Sequence, residues 1–243
     1  MKMIDLHTHI LPGVDDGSDS METSLEMLRN AEASHVIALA ATPHCNCPNM
    51  PCANFYDEEY LGNLRVLRSE AENAGISVKI LTGMELRAGE DLKQVLEQGK
   101  VLGINGSRYL LTEFRPDVTL TACREKLRLI LNQGYIPLVA HPERYGAIWQ
   151  KPAAVNEWLE MGCHVQITGG SILGKFGRDC WIAADYLIKN DLVAIVASDA
   201  HGLRYRTNNL IHVYDHLSIH YSPRYAKMVL LQNPYTICQN ETL

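Results

Sequence analysis

The sequence has no apolar run able to cross a membrane as a helix. Residues 33–56 lack Asp, Glu, Lys and Arg, but they carry two His, five Ser, Thr or Asn and three Pro. Such a segment would leave backbone groups unpaired in lipid. Low-complexity tracts, blocks of like charge and repeats are also missing, and the composition excludes disordered, collagenous and disulfide-scaffold chains. There is no basic surplus: 22 Lys and Arg face 28 Asp and Glu, for a net charge of −6. Broad nucleic-acid binding is therefore not expected. Neither GxGxxG nor GxxxxGK[ST] occurs, so the common nucleotide loops are absent. The N-terminal MKMIDLHTH meets a charge at Asp5 before any apolar core of signal-peptide length, and a cytoplasmic location without membrane insertion is expected. Seven cysteines are an odd number, read as free thiols of a reducing compartment. A cysteine phosphatase needs an Arg six positions after its nucleophile. Here those positions hold Pro51, Ala53, Glu58, Leu129, Gly169 and Tyr186, and Cys238 has none.

What is present is a chain of 243 residues, 47% hydrophobic, enough to bury a core without cross-links. It is read as one domain over residues 1–243. Short apolar runs alternate with amphipathic stretches. Strands are expected at Ile4–Leu6, Val36–Thr42, Val78–Thr82, Tyr109–Thr112, Ile136–Ala140, His164–Thr168 and Leu192–Ala197. Helices are expected near Ser20–Ser34, with Asp19 and Glu22 as a capping box, and near Asp57–Ala74, Leu120–Gln133, Ala153–Met161 and Asp179–Lys189. Continuous Val/Ile/Leu/Ala runs fit strands buried on both faces, hence an α/β fold with a parallel sheet.

The chemistry lies after the strands. His7 and His9 follow the first, with Asp16 in the next loop. His44, Glu85, Glu113 and His141 follow the next four, and Asp199 and His201 follow the last. In a parallel barrel the C-terminal strand ends share one rim, so these groups would converge, whereas an open sheet would keep the edge strands apart. Five imidazoles and four carboxylates with no thiolate suit Zn²⁺, Mn²⁺ or Fe²⁺. They exceed the needs of one ion, so two or three metals are implied. Clustered metals activate a bridging water and clamp the attacking and leaving oxygens, which suits phosphoester hydrolysis.

The segments DLHTHILPGVDDGS, TPH, GMEL, LTEF, HPERY and SDAH occur in this order. Together they resemble the polymerase-and-histidinol-phosphatase superfamily. More narrowly, GVDDGS, HPERY and QITGGSILGKFG resemble its bacterial capsule-type tyrosine phosphatases. The resemblance implies a distorted seven-stranded β/α barrel of TIM-like kind holding three divalent metals, commonly Mn²⁺. It places His7, His9, Glu85 and Asp199 on the first metal, and Glu85, Glu113 and His141 on the second. Asp16, His44 and His201 fall on the third, with Asp16 preferred to Asp15 because it directly precedes Gly17-Ser18. Arg144 and Arg206 are the expected catalytic arginines, since a guanidinium fork matches phosphate oxygens; Arg204 competes with Arg206. The implied reaction is attack on phosphotyrosine by a metal-bridging hydroxide, with no Cys nucleophile. The implied substrate is a membrane-associated bacterial tyrosine kinase controlling capsular and exopolysaccharide synthesis. A small-molecule phosphatase, such as one for histidinol phosphate, and a non-catalytic module are the alternatives.

Other features are read more plainly. His44-Cys45-Asn46-Cys47, with Cys52 beyond, looks like a zinc knuckle but lacks a second half. His212, His216 and His220 are read as a solvated helix face. Gly169-Gly170-Ser171, with Gly174 and Gly177, fits a phosphate-cradling loop or a tight turn equally.

Overall fold

A computed structural model describes residues 1–47 and 55–243; Cys52 lies outside them. The strands are β1 (Met3–Thr8), β2 (Val36–Ala41), β3 (His44–Cys45), β4 (Lys79–Thr82), β5 (Glu85–Arg87), β6 (Tyr109–Glu113), β7 (Ile136–Ala140), β8 (His164–Thr168) and β9 (Ile195–Ala197). They form a three-stranded sheet, β1-β2-β4, and a six-stranded sheet, β3-β5-β6-β7-β8-β9. Every pairing is parallel, as continuous apolar runs require.

The described strands thus differ in number from the seven runs expected, because two runs are each followed by a separate short strand. The first interruption is Thr42-Pro43, where proline has no N–H for the ladder. The second is Gly83-Met84. A Cβ at Gly83 would meet Thr42 Cγ2 at 2.9 Å and Ile104 Cδ1 at 3.0 Å. The backbone freed there is satisfied by Tyr60: its hydroxyl donates to Gly83 O and accepts from Gly83 N, both at 3.0 Å. The Thr42 hydroxyl likewise accepts from Thr8 N at 2.9 Å. Strands of two or three residues carry no readable period, which is why β3 and β5 escape a sequence pattern.

The two sheets meet beside the start of the chain. Thr8 bridges Ala200 in parallel, and Asp199 N donates to His7 O at 2.9 Å. Ser198 N donates to Asp5 Oδ1 at 2.9 Å. One apolar cluster draws Ile4 and Leu6 from β1, Ala38 and Ala40 from β2, Leu81 from β4, Tyr109 and Leu111 from β6, Leu138 and Ala140 from β7 and Ile195 from β9. A larger cluster, running from Met3 to Leu230, fills the layer between strands and helices.

The first helix runs Met21–Ala33, and its cap differs from the expected box by one residue. Ser20 is the N-cap and accepts from Thr23 N at 3.2 Å, while Thr23 Oγ1 donates to Asp19 Oδ1 at 2.6 Å. The helix Glu58–Asn73 is capped by Asp57 and the helix Leu120–Asn132 by Thr119, as the short polar side chains before each run favour.

Candidate metal centre

Six strands deliver side chains to one pit. His7 lies one residue before the end of β1, His44 opens β3, Glu85 opens β5, Glu113 closes β6, and His141 and Asp199 follow β7 and β9. Tyr109, Leu111 and Glu113 share a face of β6, so period two carries an apolar column into a carboxylate. His7, His9, Glu85 and Asp199 are fully buried, and Glu113, His141 and His44 nearly so. Asp16, with half its side chain exposed, stands at the open edge. All nine residues expected from the sequence are brought together here.

Local backbone strain aims two of them. His141 has φ +35° and Asp199 has φ +53°, left-handed conformations that non-glycine residues adopt at some cost and that cluster at functional sites. The loop carrying Asp15 and Asp16 is folded back tightly on His9: Ser18 N donates to His9 O at 2.9 Å. A Cβ at Gly17 would fall 2.2 Å from that same oxygen, so only glycine fits.

The ring nitrogens define what the pit needs. His7 Nδ1 lies 3.0 Å from the amide oxygen of Gln166, and His9 Nδ1 lies 2.8 Å from Asp15 Oδ2. His201 Nδ1 lies 3.1 Å from the carbonyl oxygen of Asp199. Each of these oxygens only accepts, so each Nδ1 carries a proton and each Nε2 of a neutral ring presents a lone pair. Yet His7 Nε2 and His9 Nε2 face each other at 3.2 Å. His201 Nε2 is buried without a hydrogen bond and points its pair toward Asp16 Oδ1 at 3.4 Å. Ring nitrogens that oppose each other and carboxylate oxygens at these distances need a proton or a metal cation between them.

Carboxylates close on the same nitrogens. Glu85 Oε1 is 3.2 Å from His7 Nε2 and 3.0 Å from His141 Nε2, and Glu85 Oε2 is 3.2 Å from His9 Nε2. Asp199 Oδ1 is 3.2 Å from His7 Nε2, and His44 Nε2 is 3.3 Å from Asp16 Oδ1. A cation bound at about 2.1 Å spaces its ligands by about 3.0–3.4 Å, so these separations are compatible with a coordination shell. The donors sort into overlapping groups with ligand atoms within 4.8 Å: His9, Asp16, His44 and His201; His7, His9 and Glu85; His7, His141 and Asp199; Glu85, Glu113 and His141. The residues present therefore fit divalent cations.

Electrostatics point the same way. Burial opposes ionisation of Glu85, but His7 and His44 outweigh it and hold the carboxyl well below its ordinary range. Asp199 is also held well below, burial again being overcome, here by His7, His9 and Arg206. Burial disfavours a charged His9, yet Asp15, Asp199 and Glu85 raise it well above the usual imidazole range. In the metal-free protein a proton on His9 takes part of the cation's place. His201 moves the other way, lowered to about 4 by burial and by His9.

Both expected arginines converge on one oxygen. Arg144 Nη1 is 2.8 Å from Asp199 Oδ2, and Arg206 Nη2 pairs with the same atom. Arg206 Nε also donates to Asp199 O at 3.1 Å, while Arg204 is exposed. Residues that sequence reasoning missed surround this core. Asp15 and Gln166 fix the His9 and His7 rings. Phe176 lies under Arg144, with its ring centroid 5.1 Å from the guanidinium carbon. Buried Glu143 accepts from Thr168 N, Thr168 Oγ1 and Ser171 Oγ at 2.8, 2.9 and 2.8 Å, tying the HPER turn to the end of β8. The only signals for them are period two for Gln166 and adjacency for Asp15 and Glu143. Gly169 and Gly170 are explained by packing: added Cβ atoms would strike Val213 Cγ2 and Phe176 Cε2, each at 2.6 Å. His212, His216 and His220 join no metal-capable group among the described residues.

A parallel α/β protein whose strand ends gather imidazole and carboxylate into one buried pit belongs to the class with candidate multi-metal centres. The particular family follows from comparison. Residues 3–239 match the family described as capsular polysaccharide synthesis, CpsB/CapC, and the chain belongs to that family. Over 207 residues it is 34% identical to the tyrosine-protein phosphatase YwqE of Bacillus subtilis, covering 84% of this chain and 79% of that protein. A structure described as YwqE from Bacillus subtilis and CpsB from Streptococcus pneumoniae, "unique metal-dependent tyrosine phosphatases", matches with a TM-score of 0.88 and 30% identity, covering 99% of this chain and 96% of that one. An engineered organophosphorus hydrolase from Deinococcus radiodurans matches with a TM-score of 0.59 at 12% identity, over 97% of this chain and 92% of that one; that likeness concerns the fold alone.

Proposed function

We propose that the protein is a metal-dependent protein-tyrosine phosphatase. The observation that carries this reading is the pair of imidazole Nε2 atoms facing at 3.2 Å, with carboxylates on every side and two arginines at the rim. The family relationship supports phosphotyrosine as substrate. Nine ligands, His7, His9, Asp16, His44, Glu85, Glu113, His141, Asp199 and His201, would hold three divalent ions, with Mn²⁺ the first candidate and Zn²⁺ or Fe²⁺ compatible with the donors. Bound there, such ions supply acidified water and charge neutralisation at phosphoryl oxygens.

The chain's own residues do the rest. Arg144 and Arg206 are anchored on Asp199 and offer guanidinium edges to the phosphate, offsetting charge as the P–O bond breaks. Asp15 and Gln166 keep His9 and His7 in the tautomers that present Nε2. A tyrosine phenol ionises near pH 10, roughly, so the departing phenolate needs little protonation, which fits a site without a dedicated acid. The substrate proposed is the tail of a membrane-associated bacterial tyrosine kinase governing capsule and exopolysaccharide synthesis. No helix among the described residues is long and apolar enough to cross a membrane, and the protein is proposed to act from the cytoplasm.

The architecture is proposed as a single domain, a distorted barrel in which β2 with β3 and β4 with β5 count as one strand each, making seven. Support comes from the apolar cluster shared by strands of both sheets and from the Thr8–Ala200 bridge.

A side-by-side turnover assay tests the activity, with a phosphotyrosine peptide and histidinol phosphate as substrates, Mn²⁺ added and a chelator as blank. Metal-dependent preference for the peptide is expected, and His44→Ala should lower that rate by orders of magnitude. Preference for histidinol phosphate would overturn the substrate. Silence on both with metal bound would overturn the activity.

A further inference from the structure

The sequence pattern gives the centre nitrogen and oxygen donors and no thiol. The structure brings a thiol to its edge. Cys47, His44 and Glu113 are all buried, with ligand atoms within 4.8 Å of one another. Cys47 Sγ lies 3.9 Å from Glu113 Oε1, and His44 Nδ1 lies 3.4 Å from that same oxygen. Glu85 Oε2, fully buried and without a hydrogen bond, sits 3.0 Å from the same histidine nitrogen. A sulfur ligand at about 2.3 Å and an oxygen at about 2.1 Å of one tetrahedral cation stand about 3.6 Å apart, close to the observed gap.

The backbone accounts for this placement. Cys45, on β3, packs into the apolar core. Asn46 then takes φ +63°, and its side-chain amide donates to Arg87 O at 3.2 Å and to Asp91 Oδ1 at 3.0 Å. This pinned left-handed turn breaks the alternation, so Cys47 swings toward Glu113 instead of following Cys45 into the core. Arg87 Nη1, 3.0 Å from Glu113 Oε1, holds that carboxylate in place beside the thiol. A cavity of about 560 Å³, lined in part by Asn46, Cys47, Arg87 and Lys126, reaches this edge from outside.

We propose that Cys47 is a sulfur ligand to the metal held at Glu113, so that this edge of the centre takes a borderline cation such as Zn²⁺ or Co²⁺ through S as well as N and O. The inference rests on the metal-site reading above. On binding, the S–H bond breaks, its proton passes to solvent and the sulfur pair is donated to the cation; no electron is transferred. A thiolate ligand shifts selectivity toward softer ions than a purely N/O site would choose.

The test is spectroscopic and needs no turnover. The full chain is stripped with chelator and titrated with Co²⁺. Visible ligand-field bands report binding, and a near-ultraviolet thiolate-to-cobalt charge-transfer band reports sulfur. The wild type should show both. Cys47→Ser should lose the near-ultraviolet band while keeping the visible bands and bound cobalt by mass spectrometry, and Cys45→Ala should keep both. Visible bands without the charge-transfer band in the wild type, or a band that follows Cys45, would overturn the ligand and leave the metal centre standing. Failure of the wild type to bind Co²⁺ at all would overturn both.

Discussion

Asp15 and Asp16 are adjacent, identical in chemistry and placed in different roles. Asp15 Oδ2 touches His9 Nδ1 at 2.8 Å and accepts from His44 N at 3.0 Å, while Asp16 stands among His9, His44 and His201. Asp15 therefore acts through His9. Asp15→Asn should keep the fold and lower metal affinity by about 10–100-fold, the usual loss for such outer partners; a metal titration with competing chelator measures it. An unchanged affinity would mean that His9 needs no orienting partner. Phe176 belongs to the same scale. Its ring under Arg144 restrains a long, rotamer-rich side chain. Phe176→Leu should lower kcat/KM on a phosphotyrosine peptide several-fold, and Phe176→Tyr should restore it; equal rates for Leu and wild type would show that the ring does not position Arg144. The residues of the pit were legible as a set because imidazole and carboxylate announce their chemistry by residue type. Gln166, Asp15, Glu143 and Phe176 were not, because their roles depend on what they touch across up to 159 positions of chain.

The parallel strands and their helices were legible as elements because apolar runs and capping residues encode them locally. The two interruptions were not, although they place His44 and Glu85. Pro43 and Gly83 follow β2 and β4, and the chain resumes with a residue of the pit, His44 or Glu85, as the first of each new strand. Tyr60 holds this arrangement from outside the site, with one hydroxyl on both the N–H and the C=O of Gly83. Tyr60→Phe leaves those buried groups unpaired and should destabilise the fold by about 1–3 kcal/mol. Denaturant unfolding of the metal-free protein reads this loss directly. A variant as stable as the parent would show that the Gly83 backbone finds other partners.

At the scale of the whole molecule, the centre should couple folding to metal and to pH. The metal-free pit gathers buried carboxylates and opposed imidazole nitrogens at the point where the two sheets meet, so occupancy should stabilise the entire fold. A cation at 100 times its dissociation constant contributes about 2.7 kcal/mol per independent site by mass action. Thermal unfolding with Mn²⁺ should therefore occur at higher temperature than with chelator. Protons compete for the same nitrogens. Asp15, Asp199 and Glu85 raise His9 well above the ordinary imidazole range, and Glu85 and Asp199 raise His7, in both cases against burial. A raised folded-state value means that protonation stabilises the metal-free protein below the ordinary imidazole pKa, and that this contribution is lost as pH rises through the raised value. Metal binding must release these protons, so its advantage grows as pH rises. His201, lowered to about 4, is neutral throughout and adds nothing to this slope. The difference in unfolding temperature between Mn²⁺ and chelator should thus shrink steadily as pH falls from about 8 to about 6. The shrinkage should begin above the pH at which an unperturbed histidine titrates. His9→Gln, which removes one of the raised imidazoles, should flatten that dependence, and a slope left unchanged would place the competing proton elsewhere in the centre.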